Sequence, residues 1–139
     1  MNSKAYLQKF GNKKRRNNRE HELQKACVKL FRYQYPRLKK MLFAIPNGAN
    51  LQGGAMEWNK LLAEGAVPGA ADLFLSVPSG DLAGLYIEMK TPKGRQSPEQ
   101  LEFEQEVLEQ GYGYCTPRSS REFERAVKMY LETGYYDKP

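Results

Sequence analysis

Residues 72–90 read DLFLSVPSGDLAGLYIEMK, and this stretch decides the fold. Its alternation makes it two strands. On the first, Leu73, Leu75 and Val77 point one way, and Asp72, Phe74 and Ser76 point the other. On the second, Leu85, Ile87 and Met89 share a face, with Tyr86, Glu88 and Lys90 opposite. Pro78-Ser79-Gly80-Asp81 supplies turn chemistry between them. A turn centred on Gly80 sets Asp72 across from Glu88. The same register aligns both apolar sets on one face, as burial of that face requires, whereas a slip of one residue mixes the faces. The spacing therefore predicts Asp72, Glu88 and Lys90 gathered at one end of a hairpin, on one side.

Such a set suits one chemistry well. Phosphodiester hydrolysis near neutral pH needs an activated water and relief of charge on the phosphoryl oxygens, and a divalent cation provides both. Mg²⁺ takes oxygen ligands, usually one or two carboxylates plus water. Asp72 and Glu88 supply that pair, and the backbone carbonyl of Met89 offers a further oxygen. Glu20, on the edge of a helix, completes the shell. Lys90 is placed to stabilise the phosphate or to orient the attacking water. Each group also has an ordinary reading. Asp72 suits a strand end, and Glu88-x-Lys90 suits a solvated one. Glu20 suits a helix N-terminus through the dipole. Gln100 suits the second half of a capping box with Ser97, and Tyr86 suits packing under a helix. The conjunction set by the register favours the chemical reading.

Outward from the hairpin, the 139 residues are 40% hydrophobic and 12% aromatic, enough for a single domain with its own core. No apolar run approaches a membrane span and no signal-peptide pattern opens the chain, so the cytosol is the expected location. Cys27 and Cys115 lack metal or disulfide spacing and read as buried free thiols. With one histidine, nuclease chemistries that rest on a histidine base plus histidine ligands are hard to build. The net charge of +6 is concentrated near the start, in Lys13, Lys14, Arg15, Arg16 and Arg19. That cluster suits phosphate neutralisation, though a solubilising tail has the same composition.

Residues 1–18 read as a flexible basic arm, and a helix is expected from Arg19 to Tyr35 on the stripe Leu23, Cys27, Leu30 and Phe31. Met41–Ile45 reads as a strand, residues 47–54 as an exposed loop and Ala55–Glu64 as a helix. After Lys90, a loop carrying Lys93 and Arg95 leads to a helix capped by Ser97, with Leu101, Val107 and Leu108 as its apolar side. Tyr112–Thr116 forms a strand. A last helix opens at Ser119, carries Phe123, Ala126, Val127, Tyr130 and Leu131, and ends at Gly134. Residues 135–139 are a tail. This order implies an α/β fold, a mixed sheet of about four strands flanked by helices.

The motifs Ile45-Pro46-Asn47-Gly48, Gly65-x-x-Pro68-Gly69-x-x-Asp72, Ile87-Glu88-Met89-Lys90-Thr91, Ser97-Pro98-Glu99-Gln100 and Gly111-Tyr112, behind Glu20-x-x-x-Gln24, carry a resemblance. In that order and spacing the chain resembles the PD-(D/E)xK nuclease superfamily, and within it the VRR-NUC, or virus-type replication-repair, branch. The resemblance spans about Glu20 to Leu131. It implies a restriction-endonuclease-like core over residues 19–134 and Mg²⁺ or Mn²⁺ held by Glu20, Asp72 and Glu88. It also implies Lys90 as catalytic lysine and Gln100 as an active-site helper. Lys13, Lys14, Arg15, Arg16, Arg19, Lys93 and Arg95 become the expected DNA contacts. Stand-alone relatives of this kind are similar to phage and bacterial proteins that act as homodimers on branched DNA, Holliday junctions included. No small-molecule cofactor and no membrane partner is expected. Ala71 departs from the family's usual proline, which implies a looser approach to Asp72. Glu22 competes with Glu20 as the N-terminal acid; the two point about 200° apart on a helix, and Glu20 shares a face with Gln24. The competing readings are a non-catalytic junction-binding module of this fold and a nuclease of this fold acting on other DNA or on RNA.

Overall fold

The structure, a computed structural model, describes residues 3–46 and 54–135, with side chains from Asn18 onward. The expected loop around Leu51, the tail from Tyr136 and the side chains of Lys13, Lys14, Arg15 and Arg16 lie outside the described residues. The chain runs α1 (Ser3–Gln34), a 3₁₀ turn (Pro36–Leu38), β1 (Leu42–Ala44), α2 (Gly54–Ala63), β2 (Leu73–Leu75), β3 (Leu85–Ile87), α3 (Pro98–Glu109), β4 (Gly113–Cys115) and α4 (Ser120–Thr133). The first helix departs from expectation: it begins at Ser3, so most of the segment read as a flexible arm is helical. Lys, Arg, Gln, Ala and Leu are strong helix formers, and over this length they outweigh Gly11 and the asparagines. Pro36, which cannot continue a helix, ends it.

The four strands lie in the order β1-β2-β3-β4. The first two pairings are antiparallel and the third is parallel. Leu73 pairs with Ile87, Phe74 with Tyr86 and Leu75 with Leu85, the register anticipated from alternation. The ladder outlasts the strands: the Glu88 N–H donates to the Cys115 carbonyl at 2.9 Å and the Lys90 N–H to the Pro117 carbonyl at 3.1 Å. The tip behaves differently. Ser79 and Leu82 exchange two backbone hydrogen bonds of 3.0 Å around Gly80-Asp81. Gly80 has φ +56°, the left-handed region that the first central position of such a two-residue turn demands. This tip is one residue out of step with the strands it joins.

One face of the sheet carries the core. Leu73, Leu75, Leu85, Ile87 and Met89 are fully buried there with Cys27 and Phe31 of α1 and Phe123, Ala126, Val127 and Tyr130 of α4. The Ser119 hydroxyl accepts the Glu122 N–H at 3.1 Å to open α4, and the Tyr130 hydroxyl donates to the Val77 carbonyl at 2.6 Å. The other face packs against α3 through Ala71, Val107 and Tyr114, with Tyr86, Phe103 and Tyr112 alongside. Here two expectations fail. Leu101 and Leu108 are exposed, and α3 turns Phe103, Glu104 and Val107 inward instead. Ala71, expected in a loose approach, is fully buried against Val107 and Tyr114.

Candidate active site

Asp72 ends the coil that leads into β2, and Glu88 follows β3 directly, so the register brings the two together on the α3 face. Asp72 is half-buried. Its Oδ2 accepts the Met89 backbone N–H at 2.8 Å, which locks the carboxylate across the hairpin. Glu88 is 2% exposed and Lys90 6%. Lys90 Nζ lies 3.3 Å from Glu88 Oε1. The Gln100 side-chain amide donates to the same oxygen at 2.7 Å. The second oxygen, Glu88 Oε2, is buried and meets no hydrogen-bond donor.

Gln100 reconciles its two readings. Its Oε1 accepts the Ser97 N–H at 3.0 Å and the Ser97 hydroxyl accepts the Gln100 N–H at 3.2 Å, a complete capping box. The amide nitrogen, left over by the cap, is the donor to Glu88. The helix cap therefore fixes the site residue's rotamer and position.

Electrostatics mark the pair. Burial raises the Glu88 carboxyl to about 8, with repulsion from Asp72 adding to it and Lys90 opposing. Asp72 is raised for the same first reason, burial, offset by the Met89 N–H and Lys90. Glu20 raises both, so its carboxylate lies within electrostatic reach of the pair. Glu22 is exposed and pairs with Lys25 at 3.2 Å. Among the described residues no three His, Cys, Asp or Glu side chains close on one point, so Glu20 stands off the Asp72–Glu88 pair. Arg19, Lys93 and Arg95 are exposed.

A second layer escaped the sequence reading. Gln96 donates to Glu104 Oε2 at 2.9 Å and lies 3.4 Å from the Tyr114 hydroxyl. Burial, and after it the charge of Glu88, raises the Tyr114 phenol and keeps it neutral. Glu104 is 7% exposed, and its spacing of four from Gln100 was the one available signal that both face inward. Arg118 donates from Nη1 to the carbonyls of Thr91 and Gly94, each at 2.7 Å; nothing in its sequence context announces this. The thiols of Cys27 and Cys115 are free and buried, and burial raises both, Cys27 to about 11. An open pocket of about 480 Å³ lies on the same sheet face, lined by Phe43, Leu61, Phe74, Tyr86 and Phe103 among others, but none of the site's charged groups lines it.

The site's oxygens suit a hard divalent cation. Two carboxylates with raised proton affinity, one half-buried and the other buried with an orphaned oxygen, gain from a positive charge beside them. No described helix is long and apolar enough to cross a membrane.

No protein-family model matches the sequence, and no curated protein matches it. Among solved structures, the chain is similar to a VRR_NUC domain protein, with a TM-score of 0.71 and 21% identity over 86% of this chain and 93% of that one. At that identity the likeness is one of fold: the mixed sheet and its flanking helices follow the VRR_NUC domain arrangement, as the sequence motifs imply.

Proposed function

We propose that the chain is a divalent-metal-dependent nuclease that hydrolyses phosphodiester bonds in DNA. The observation that supports this most is Glu88 itself, a buried carboxylate set opposite Asp72, held through one oxygen by Lys90 and Gln100, with the other oxygen unsatisfied. The VRR_NUC fold supports the same reading.

On this reading Asp72, Glu88 and Glu20, with the Met89 carbonyl, would hold Mg²⁺ or Mn²⁺, which would supply an activated water and charge relief on the phosphate. The protein's own groups do the rest. Lys90, desolvated and anchored to Glu88, donates to the phosphoryl oxygens or orients the attacking water. Gln100 keeps one Glu88 oxygen engaged, which would leave the other to hold a cation. Lys93 and Arg95, exposed just beyond Lys90, and Arg19, with Lys13, Lys14, Arg15 and Arg16 before it, supply phosphate contacts and salt-dependent affinity.

The substrate we propose is branched DNA, four-way junctions included, cut by a homodimer. Paired incisions need two active sites, and a twofold axis is the commonest way to present them. Met56 and Tyr135, 84% and 76% exposed, are available for such a contact. Cleavage of linear duplex, single strands, RNA, forks and four-way junctions with Mg²⁺ or Mn²⁺ tests the whole reading. Absence of cleavage on every substrate, or full activity in Glu88→Ala, defeats it. Tight metal-independent junction binding without cleavage points to the binding-module alternative. A monomeric mass in the presence of junction DNA removes the dimer.

A further inference from the structure

Glu20 reaches the site from α1, a helix packed on the opposite face of the sheet from Glu88. What meets it is the turn after Lys90. The Gly94 N–H donates to the Thr91 carbonyl at 3.0 Å, closing residues 91–94. Gly94 is buried, and its φ lies outside the left-handed region, so its backbone does not demand glycine. Space does. A Cβ there would stand 3.0 Å from the Thr91 hydroxyl and 3.3 Å from Glu20 Oε1. The Glu20 carboxylate thus packs closely against Gly94, and an added Cβ would press it back by a few tenths of an ångström. The Thr91 hydroxyl at the same spot is buried and without a hydrogen-bond partner.

This turn is closed by a charge. Arg118 Nη1 lies 2.7 Å from the Thr91 carbonyl, 2.7 Å from that of Gly94 and 3.4 Å from that of Pro92. Three carbonyls converging on one nitrogen repel one another unless a cation sits among them, and a guanidinium never loses its charge. Arg118 is itself well rooted. Its backbone N–H donates to Glu122 Oε2 at 2.7 Å, and its neighbour Pro117 accepts the Lys90 N–H. The backbone of Lys90 is therefore held independently of the guanidinium.

We propose that Arg118 is a positioning residue for Glu20: its guanidinium closes the Thr91–Gly94 turn, and that turn seats the Glu20 carboxylate within electrostatic reach of Asp72 and Glu88. The inference rests on the reading of Glu20 as part of a divalent-cation site. Neither Arg118 nor Gly94 belongs to the acid–acid–lysine set, and each acts only through Glu20.

The test is Mn²⁺ binding to the metal-free chain, followed by loss of the free-ion electron paramagnetic resonance signal. Wild type is compared with Glu20→Ala, Glu88→Ala, Arg118→Ala, Arg118→Lys, Gly94→Ala and the double variant Glu20→Ala/Arg118→Ala, with thermal melting to confirm folding. Arg118→Ala is expected to weaken Mn²⁺ affinity by about 10–100-fold, the usual cost of losing a ligand's support. Arg118→Lys recovers part of this, and Gly94→Ala shows a smaller loss with the melting temperature retained. The double variant binds no worse than Glu20→Ala alone, the signature of two residues acting on one interaction. Wild-type affinity in folded Arg118→Ala, beside a weakened Glu20→Ala, overturns the positioning role and leaves the site reading standing. Unchanged affinity in Glu20→Ala, with affinity lost in Glu88→Ala, overturns the Glu20 ligand reading and the inference with it. Where Arg118→Ala does not fold, the same cycle run with Gly94→Ala decides: additive losses in Gly94→Ala and Glu20→Ala reject the seat.

Discussion

The two faces of one short sheet are built from alternate residues of the same strands, yet they are held together by opposite means. On the core face Leu73, Leu75, Leu85, Ile87 and Met89 are fully buried in apolar surroundings. On the other, Glu88, Lys90 and Glu104 are buried almost as deeply, but each is engaged by a polar partner: Gln100 on Glu88, Glu88 on Lys90, Gln96 on Glu104. Burial stabilises the first face and penalises the second, because a charge taken from water is repaid only when its partners are well placed. A single buried oxygen of Glu88 lacks such a partner. Core residues hold the fold; the opposite face accepts a local cost that a bound cation would offset.

Substitutions on each face break this contrast if it is wrong. The largest effect is expected from Glu88→Gln: on the proposed nuclease reading it should lower DNA cleavage by about 10³-fold or more, since it would remove a charged ligand from the reacting centre. In metal-free chain the same change should not destabilise, because an uncharged isostere relieves the buried charge; denaturant melts at pH 8 check this. Lys90→Ala should lower the cleavage rate at saturating substrate by about 10²–10³-fold with DNA binding largely kept. Ile87→Ala, one residue earlier and on the core face, should reverse the pattern and cost about 2–5 kcal/mol of stability in urea unfolding.

The pH dependence sharpens the comparison further. The Glu88 carboxyl, ordinarily near 4.5, is raised to about 8 in the folded chain, so the native state binds that proton more tightly than the unfolded one. Its contribution to stability is therefore complete below about 4.5 and lost as pH climbs through about 8. Asp72, raised for the same reason, acts in the same direction. Metal-free chain unfolded in urea across this window should weaken as pH rises, and Glu88→Gln should flatten the profile. At the small end, Ser97→Ala should cost about 1 kcal/mol through the α3 cap. It should also loosen Gln100 from Glu88, read as a modest drop in cleavage rate. Lys25→Ala, which breaks only the exposed pair with Glu22, should shift stability by no more than about 0.5 kcal/mol.

Much of this was legible in the chain itself. Period-two alternation on both sides of Gly80 determined the register, and with it the meeting of Asp72, Glu88 and Lys90, because a one-residue slip would have exposed every leucine of the core face. Ser97, Gln100, Ser119 and Gly134 announced their helix ends for equally local reasons, since a cap is a bond between near neighbours. The early start of α1 was misread because two helix-poor residue types were weighed above the many good formers around them.

Only the tertiary structure decided the rest. Helical spacing put Glu20 and Glu22 on different faces and favoured Glu20, but that Glu20 comes within electrostatic reach of Asp72 and Glu88 was decided by the packing of Cys27 and Phe31 against the sheet. Leu101 and Leu108 lie outside while Glu104 lies inside because Gln100 must point at Glu88, and a helix face follows its anchored residue. Arg118 finds the Thr91–Gly94 turn only because β4 runs parallel to β3 and delivers it there. The sequence by itself determined which groups share a strand face; the packing of helices against that face decided which distant charges reach it, because side-chain alternation is local and helix rotation is not.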